Sequence, residues 1–234
     1  MKNIAIIPAR GGSKRIPGKN IKPFFGKPIL QYSIEAAIES GLFDEVMVST
    51  DDEEIAAVAL AAGASVPFMR TARNADDFAT ITDVVTEVLQ QYKSVKDIEY
   101  NNVCCIFATA PFVTPGRLKQ AYSLMLTGKY SSIFTVAKFS YPIMRALRKD
   151  ESTNCVSMIW PEYLVARSQD IPDAFHDCGQ FYWANVQDFH QFKTFFTPRS
   201  GIIELNSFEY QDIDTMDDWK LAEAKFRVLS TTIQ

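Results

Sequence analysis

The first residues able to do chemistry arrive early: Arg10, Lys14, Arg15, Lys19, Lys22 and Lys27 crowd a stretch that also holds Gly11-Gly12. Between Lys2 and Ile34 the chain carries seven cations and no Asp or Glu. The apolar run Ile4-Ala5-Ile6-Ile7 ahead of them reads as a buried strand. Pro8 then ends ladder donation, and Gly11-Gly12 opens a turn whose backbone can approach a ligand closely. A strand, a glycine turn and a cationic loop leading to a helix make a site for phosphates. A merely solvated basic face would account for the charge, but not for the glycines or for the position straight after the first strand. Two familiar phosphate motifs are absent. The Walker pattern needs four residues between its first glycine and Gly-Lys, with Ser or Thr next; here five separate Gly12 from Gly18, and Asn20 follows Lys19. The dinucleotide fingerprint Gly-x-Gly-x-x-Gly does not occur.

A second chemical feature lies near the other end. Asp212 and Asp214 flank Ile213 in a segment, 209–214, that reads as the last strand. On a strand both carboxylates point the same way while Ile213 faces the core. Two close carboxylates repel unless a cation neutralises them or one takes up a proton. Oxygen-only ligands select Mg²⁺ or a similar hard ion, which keeps waters and bridges to substrate phosphates. The alternative is structural, with Asp214 capping the closing helix and Asp212 merely solvated.

These groups must be positioned by the rest of the 234 residues, of which 47% are hydrophobic and 22% charged, an ordinary globular composition. The net charge of −4 argues against a general nucleic-acid binder and sets the cationic loop off against an acidic background. Cys104, Cys105, Cys155 and Cys178 show no metal-ligand spacing. No signal peptide and no membrane-length apolar run of about 18 residues is present, so the expected location is the cytoplasm. Strands are expected at 46–50, 66–69, 103–107 and 133–136, with helices at 28–41, 53–62, 81–92 and 118–126 between them. That alternation predicts a parallel sheet with right-handed crossovers, which binds ligands beyond the carboxyl ends of its strands. Arg10, Asp51 and Arg70 then share one rim. In the polar segment 70–83, Asp76, Asp77, Thr80 and Thr82 read equally as helix caps or as ribose and base contacts. From 139 to 175 the pattern breaks, with prolines and aromatics and no period; an arm packed on a second subunit would hide Trp160, Tyr163, Leu164 and Val165. The sheet resumes at 179–184, a Phe-rich helix follows at 186–196, and a closing helix starts at Thr215, which has capping-box spacing to Asp218.

With both ends of the site in hand, the chain resembles the CMP-sialic acid synthetase (acylneuraminate cytidylyltransferase) family, which activates nine-carbon α-keto acid sugars. Ile7-Pro8-Ala9-Arg10, Gly12-Ser13-Lys14 and Lys19-Asn20 match its N-terminal signature, Ser49-Thr50-Asp51 a second block, and Asp212-Ile213-Asp214 its metal-binding Asp-x-Asp. The related Kdo-activating synthetases carry Ser-Thr-Arg in place of Gly12-Ser13-Lys14 and fit less well. The resemblance implies a three-layer α/β fold: a mostly parallel, Rossmann-like nucleotide-diphospho-sugar transferase (GT-A-like) sheet. It implies one cytidylyltransferase domain over 1–234, with 139–175 as a dimerisation and sugar-site insertion of a homodimer. The implied reaction uses CTP and a nonulosonic acid: the anomeric hydroxyl attacks the α-phosphorus in line and pyrophosphate leaves. Catalytic roles fall to Arg10, Lys14 and Lys19, and nucleotide contacts to Ala9, Arg10, Gly11, Gly12, Ser13, Asn20, Arg70 and Thr80. Mg²⁺ falls to Asp212 and Asp214, and the sugar to Arg167, His176, Gln180, Tyr182, Phe195 and Phe196. No nucleic acid or membrane is implied as a partner.

Departures narrow the sugar. Ala108 stands where sialic acid synthetases place a Gln, and His176 where they carry an Arg for the sugar carboxylate. Arg167, one residue off the family's other sugar-binding Arg, is the candidate to compensate. The wording from Phe175 to Trp183, with Thr109-Ala110-Pro111-Phe112-Val113, is closer to the branch that activates pseudaminic acid for bacterial surface or flagellar glycosylation. Rival readings are the same reaction on N-acetylneuraminic or legionaminic acid, and an inactive nucleotide-binding protein. Arg10, Lys19, Asp212 and Asp214 together speak against the last, since pure binding does not require the carboxylate pair.

Overall fold

Ile4, Ala5, Ile6 and Ile7 of the first strand, β1 (Asn3–Pro8), are apolar and fully buried in succession, so both faces of the sheet around it must be covered. They are. Ala5 and Ile7 join one core cluster, and Ile4 and Ile6 another. The computed structural model describes residues 1–75 and 78–232. Among them the main sheet adds β2 (Glu45–Ser49), β3 (Asn102–Ile106), β4 (Ser132–Lys138), β5 (Phe175–Asn185) and β6 (Ser200–Glu204). Their order is β6-β4-β5-β3-β1-β2, with β5 antiparallel to both neighbours and the other pairings parallel.

Helices α1 (Ile29–Ser40), α2 (Glu53–Ala61) and α4 (Pro115–Gly128) cover the first face with Leu30, Ile34, Ile55, Ala59, Leu118 and Ala121. On the other face, α3 (Ile81–Lys96) and α5 (Val186–Phe192) supply Val85, Val88, Leu89 and Phe189. The result is the expected three-layer, mostly parallel α/β architecture. No helix among the described residues is long and apolar enough to cross a membrane.

Three expected elements are corrected. Residues 66–69 form no strand; a single bridge, Met47 to Ser65, stands there, and Pro67 lacks the N–H a ladder needs. Residues 209–214 are irregular, and the last strand is instead β6, paired to β4 from Ser200↔Ser132 to Glu204↔Val136. The Phe-rich helix stops at Phe192, because Lys193 turns left-handed at φ 52° and its N–H closes on the Phe189 carbonyl.

A third, smaller cluster positions the site. Ile16 of the basic loop, Phe24, Phe112 and Ile213 pack with Trp219 and Ala222 of α6 (Met216–Thr232). Thr215 and Asp218 form the expected reciprocal cap ahead of α6, Thr215 N–H to Asp218 Oδ2 at 2.7 Å and Asp218 N–H to Thr215 Oγ1 at 3.2 Å. Burying Ile16 and Ile213 in one cluster draws two segments almost two hundred residues apart to one edge of the sheet. The arm at 139–175 closes at its base through Phe139 N–H to the Ala174 carbonyl, 2.9 Å, and carries a short hairpin of Leu147–Lys149 with Val156–Met158.

Candidate active site

The basic loop leaves β1 at the carboxyl rim. Ala9 is fully buried and its N–H donates to the Ser49 carbonyl at 2.9 Å. Gly11 N–H donates to Asp51 Oδ1 at 3.0 Å, and a Cβ here would fall 2.6 Å from Asp52 Oδ2, so only glycine fits. Gly12 has open space around its Cα. Gly18, at φ 61°, turns the chain left-handed and starts the single helical turn Lys19–Ile21. That turn buries Asn20, whose amide donates to the Arg10 carbonyl at 2.9 Å and folds the loop back on itself.

Within this fold-back lies a cavity of 390 Å³, walled by Arg10, Ser13, Lys14, Arg15, Lys19 and Asn20 on the loop side and by Phe107, Ala108 and Thr109 opposite. Asp214 closes one end. Its carboxylate pairs with Arg15 at 2.7 Å and lies 3.7 Å from Lys19, whose ammonium also donates to the Ile213 carbonyl at 2.6 Å. Partial burial holds the Lys19 ammonium below the ordinary lysine value, against the upward pull of Asp214 and Asp212. Burial and the neighbouring Asp214 charge push Asp212 up, with Lys19 opposing. Asp212 and Asp214 are the oxygen donors that could hold a cation; no cluster of three or more His, Cys, Asp or Glu forms a fuller metal site among the described residues. The pair thus leaves an irregular segment rather than a strand, with Ile213 fully buried between them as alternation requires.

A second cavity, of 170 Å³, adjoins the first across Pro8, Arg10 and Phe107. Arg70, Ala79, Thr80, Ile81, Val84 and Cys105 complete it. Arg70 is nearly buried; its Nε donates to Ser49 Oγ at 3.1 Å and an Nη to the Ser49 carbonyl. Burial lowers its pKa, while Asp51 and Glu87 favour the charged form. Thr80 does cap a helix, its Oγ1 accepting from Asp83 N–H at 3.2 Å in a full capping box with Asp83, yet it also faces this cavity. Asp76 and Asp77 lie outside the described residues.

Of the expected nucleotide residues, Arg10, Ser13, Asn20, Arg70 and Thr80 line these cavities, Ala9, Gly11 and Gly12 line neither, and none of the expected sugar residues does. Gln180 is buried and spends its amide on the Glu209 carbonyl at 2.5 Å. His176 sits between Phe139 and Tyr210, Nδ1 at 2.9 Å from the Asp177 carbonyl and Nε2 at 3.2 Å from the Tyr210 hydroxyl. Tyr182 and Phe195 stack in the core, ring centroids 5.3 Å apart, and the Tyr182 hydroxyl donates to Asp177. Burial, then that hydrogen bond, raises the Tyr182 pKa. Phe196 is exposed beside Phe134, and Arg167 is held on the arm by Asp170 at 2.7 and 3.1 Å. Sequence reasoning counted Arg15 in the basic loop, placed Asp51 on the rim and read Ala108 for the choice of sugar, but gave none of them, nor Phe107 and Thr109, a role in the site. The signal for Arg15 was its neighbour Ile16, an apolar residue inside a cationic run that could only anchor the loop.

A family model described as cytidylyltransferase matches residues 4–214. A pseudaminic acid cytidylyltransferase of Campylobacter jejuni is 44% identical over 228 residues, 97% of each chain. A CMP-N,N'-diacetyllegionaminic acid synthase of Legionella pneumophila is 33% identical over 225 residues, 95% of each. In fold, the chain is similar to a CMP:2-keto-3-deoxy-manno-octonic acid synthetase solved with CTP, at TM-score 0.69 and 19% identity, covering 97% of this chain and 99% of that one. With a match that spans the basic loop, the rim and the Asp pair, the chain belongs to the cytidylyltransferase family and is a nucleotidyltransferase.

Proposed function

We propose that this protein transfers CMP from CTP to the anomeric hydroxyl of a nonulosonic acid, pseudaminic acid first, and releases pyrophosphate. The observation that carries the reaction is the pair of adjoining cavities sharing Arg10, one cationic and closed by Asp214, the other narrow and lined by Arg70 and Thr80. They suit a triphosphate and a nucleoside. The choice of sugar rests on the 44% identity to the Campylobacter protein, and the Legionella relative keeps legionaminic acid as the second reading.

In this mechanism Arg10, Lys14 and Lys19 hold the triphosphate and neutralise charge that builds on the phosphoryl oxygens as the hydroxyl enters in line. Arg70 and Thr80 fix the nucleoside, so the α-phosphorus is presented to one side only. A hard divalent cation fits the Asp pair. Asp212 and Asp214 offer only oxygen donors, and burial, then the Asp214 charge, raises the Asp212 pKa, a cost that a bound cation would offset. Bound there, Mg²⁺ would neutralise phosphate oxygens and lower the pKa of the attacking hydroxyl. No covalent enzyme intermediate is required.

We place the reaction in the cytoplasm, a compartment that keeps an exposed thiol such as Cys155 reduced. We also propose a homodimer built through the arm, which exposes Leu147, Val156, Leu164 and Val165 by 58, 61, 65 and 89% in the single chain. Light scattering is expected to return twice the 26.4 kDa chain mass; a monomer would reduce the arm to a lid. Pyrophosphate release from CTP and Mg²⁺ with a panel of nonulosonic acids tests the reaction. The highest kcat/KM is expected with pseudaminic acid, and EDTA should abolish release. Turnover of only neuraminic or legionaminic acid would overturn the sugar assignment. No release with any acid would leave a nucleotide-binding protein.

A further inference from the structure

One carboxylate outside both cavity walls is tied to both cavities. Asp51 is exposed and packs in no core cluster, yet its Oδ1 accepts the Gly11 N–H of the basic loop at 3.0 Å. The segment it belongs to is anchored on every side. The Ser49 carbonyl accepts from Ala9 N–H at 2.9 Å, and the Thr50 carbonyl from Arg70 N–H at 2.8 Å. The Ser49 hydroxyl accepts from Arg70 Nε at 3.1 Å. Asp52 caps α2, its Oδ1 accepting from Glu54 N–H at 2.8 Å and Ile55 N–H at 3.0 Å. The loop is pressed so closely on this segment that a Gly11 Cβ would sit 2.6 Å from Asp52 Oδ2. Arg70, whose charged form burial disfavours, finds its strongest opposing charge in Asp51. One short stretch thus touches the triphosphate side through Gly11 and the nucleoside side through Arg70.

We infer that Asp51 is a positioning residue that latches the basic loop, through the Gly11 N–H, to the strand end that also holds Arg70. The latch sets the spacing between the two cavities. A backbone amide bound to a carboxylate is a charge-assisted contact, directional enough to fix one loop conformation. With Gly11 spent on Asp51, the loop presents Ser13 and Lys14 to the cavity in one register. Without it, a loop that bends at two glycines samples others before nucleotide can bind.

The inference rests on the CTP reading of the cavities, and its test separates the two. Asp51→Ala and Asp51→Asn are compared with the unaltered protein for KM of CTP, KM of the sugar acid, CTP affinity by calorimetry, and melting temperature. Asp51→Ala is expected to raise KM and Kd for CTP about tenfold or more, the scale of one lost charge-assisted hydrogen bond. KM for the sugar acid and the melting temperature should barely move. Asp51→Asn keeps an oxygen acceptor for Gly11 and should recover most of the loss. Equal rises in both KM values with a fall in melting temperature would show general loosening and overturn the latch, as would an Asn variant as poor as Ala. If the unaltered protein binds CTP and Asp51→Ala matches it, the latch alone fails. If the unaltered protein neither binds CTP nor releases pyrophosphate, both readings fail.

Discussion

Replacing Asp212 with Asn is expected to lower kcat about a thousandfold, the several kcal/mol that a cation at a transferring phosphate supplies, while the melting temperature stays level or rises slightly. The two readouts part because of how the carboxylate is held. Asp212 takes no hydrogen bond from a described side chain, and burial and Asp214 raise its pKa above the ordinary aspartate value. For an acid the sign is then fixed. The folded state binds the proton more tightly than the unfolded one, so stability falls as pH rises from the unfolded toward the folded pKa. At neutral pH the ionised carboxylate therefore costs stability, and a neutral amide of the same shape removes the cost. Pyrophosphate release and thermal melts check both halves. A parallel loss of turnover and stability would make the pair structural.

Lys19→Met is expected to cost about a hundredfold or more in kcat/KM, the scale of a lost preorganised charge at a transition state, and about 1 kcal/mol of stability. Methionine keeps the aliphatic stem that packs in the half-buried site. What goes is the ammonium that reaches the Ile213 carbonyl at 2.6 Å and Asp214 at 3.7 Å. Arg15 would still neutralise Asp214, at 2.7 Å, so the fold should survive. Urea titration and initial rates on one preparation decide it; activity within about threefold of the unaltered protein would place Lys19 outside the chemistry.

Much of this site is legible in sequence, for identifiable reasons. Arg10, Ser13, Lys14, Lys19 and Asn20 are close along the chain, so motif spacing alone brings them together, and they do share one cavity. Arg70 and Thr80 join Arg10 for another reason than the expected strand at 66–69: Arg70 N–H is held by the Thr50 carbonyl just beyond β2, and Thr80 stands at the N-terminus of α3. The Asp pair was found for partly the wrong reason. The pattern of Asp212-Ile213-Asp214 imitates a strand, but Ile213 is buried by Ile16 and Trp219 rather than by a neighbouring strand. The true last strand, β6, begins Ser-Gly and pairs with β4 some seventy residues away, a partner no local pattern announces.

The sugar residues show the limit most clearly. Family position singles out Tyr182, Phe195 and Arg167, but position says nothing of burial or of which polar groups are already spent. Two of the three prove to be stacked core aromatics, and the third is paired on the arm.

The most direct measurement is the fate of a heavy-oxygen label placed on the anomeric hydroxyl of pseudaminic acid, followed by phosphorus NMR of the products with CTP and Mg²⁺. Attack of that hydroxyl on the α-phosphorus predicts the isotope shift on the CMP phosphorus of the sugar ester and none on pyrophosphate. A sugar ester whose CMP phosphorus carries no label, or label recovered in pyrophosphate, would contradict transfer of CMP to the anomeric oxygen.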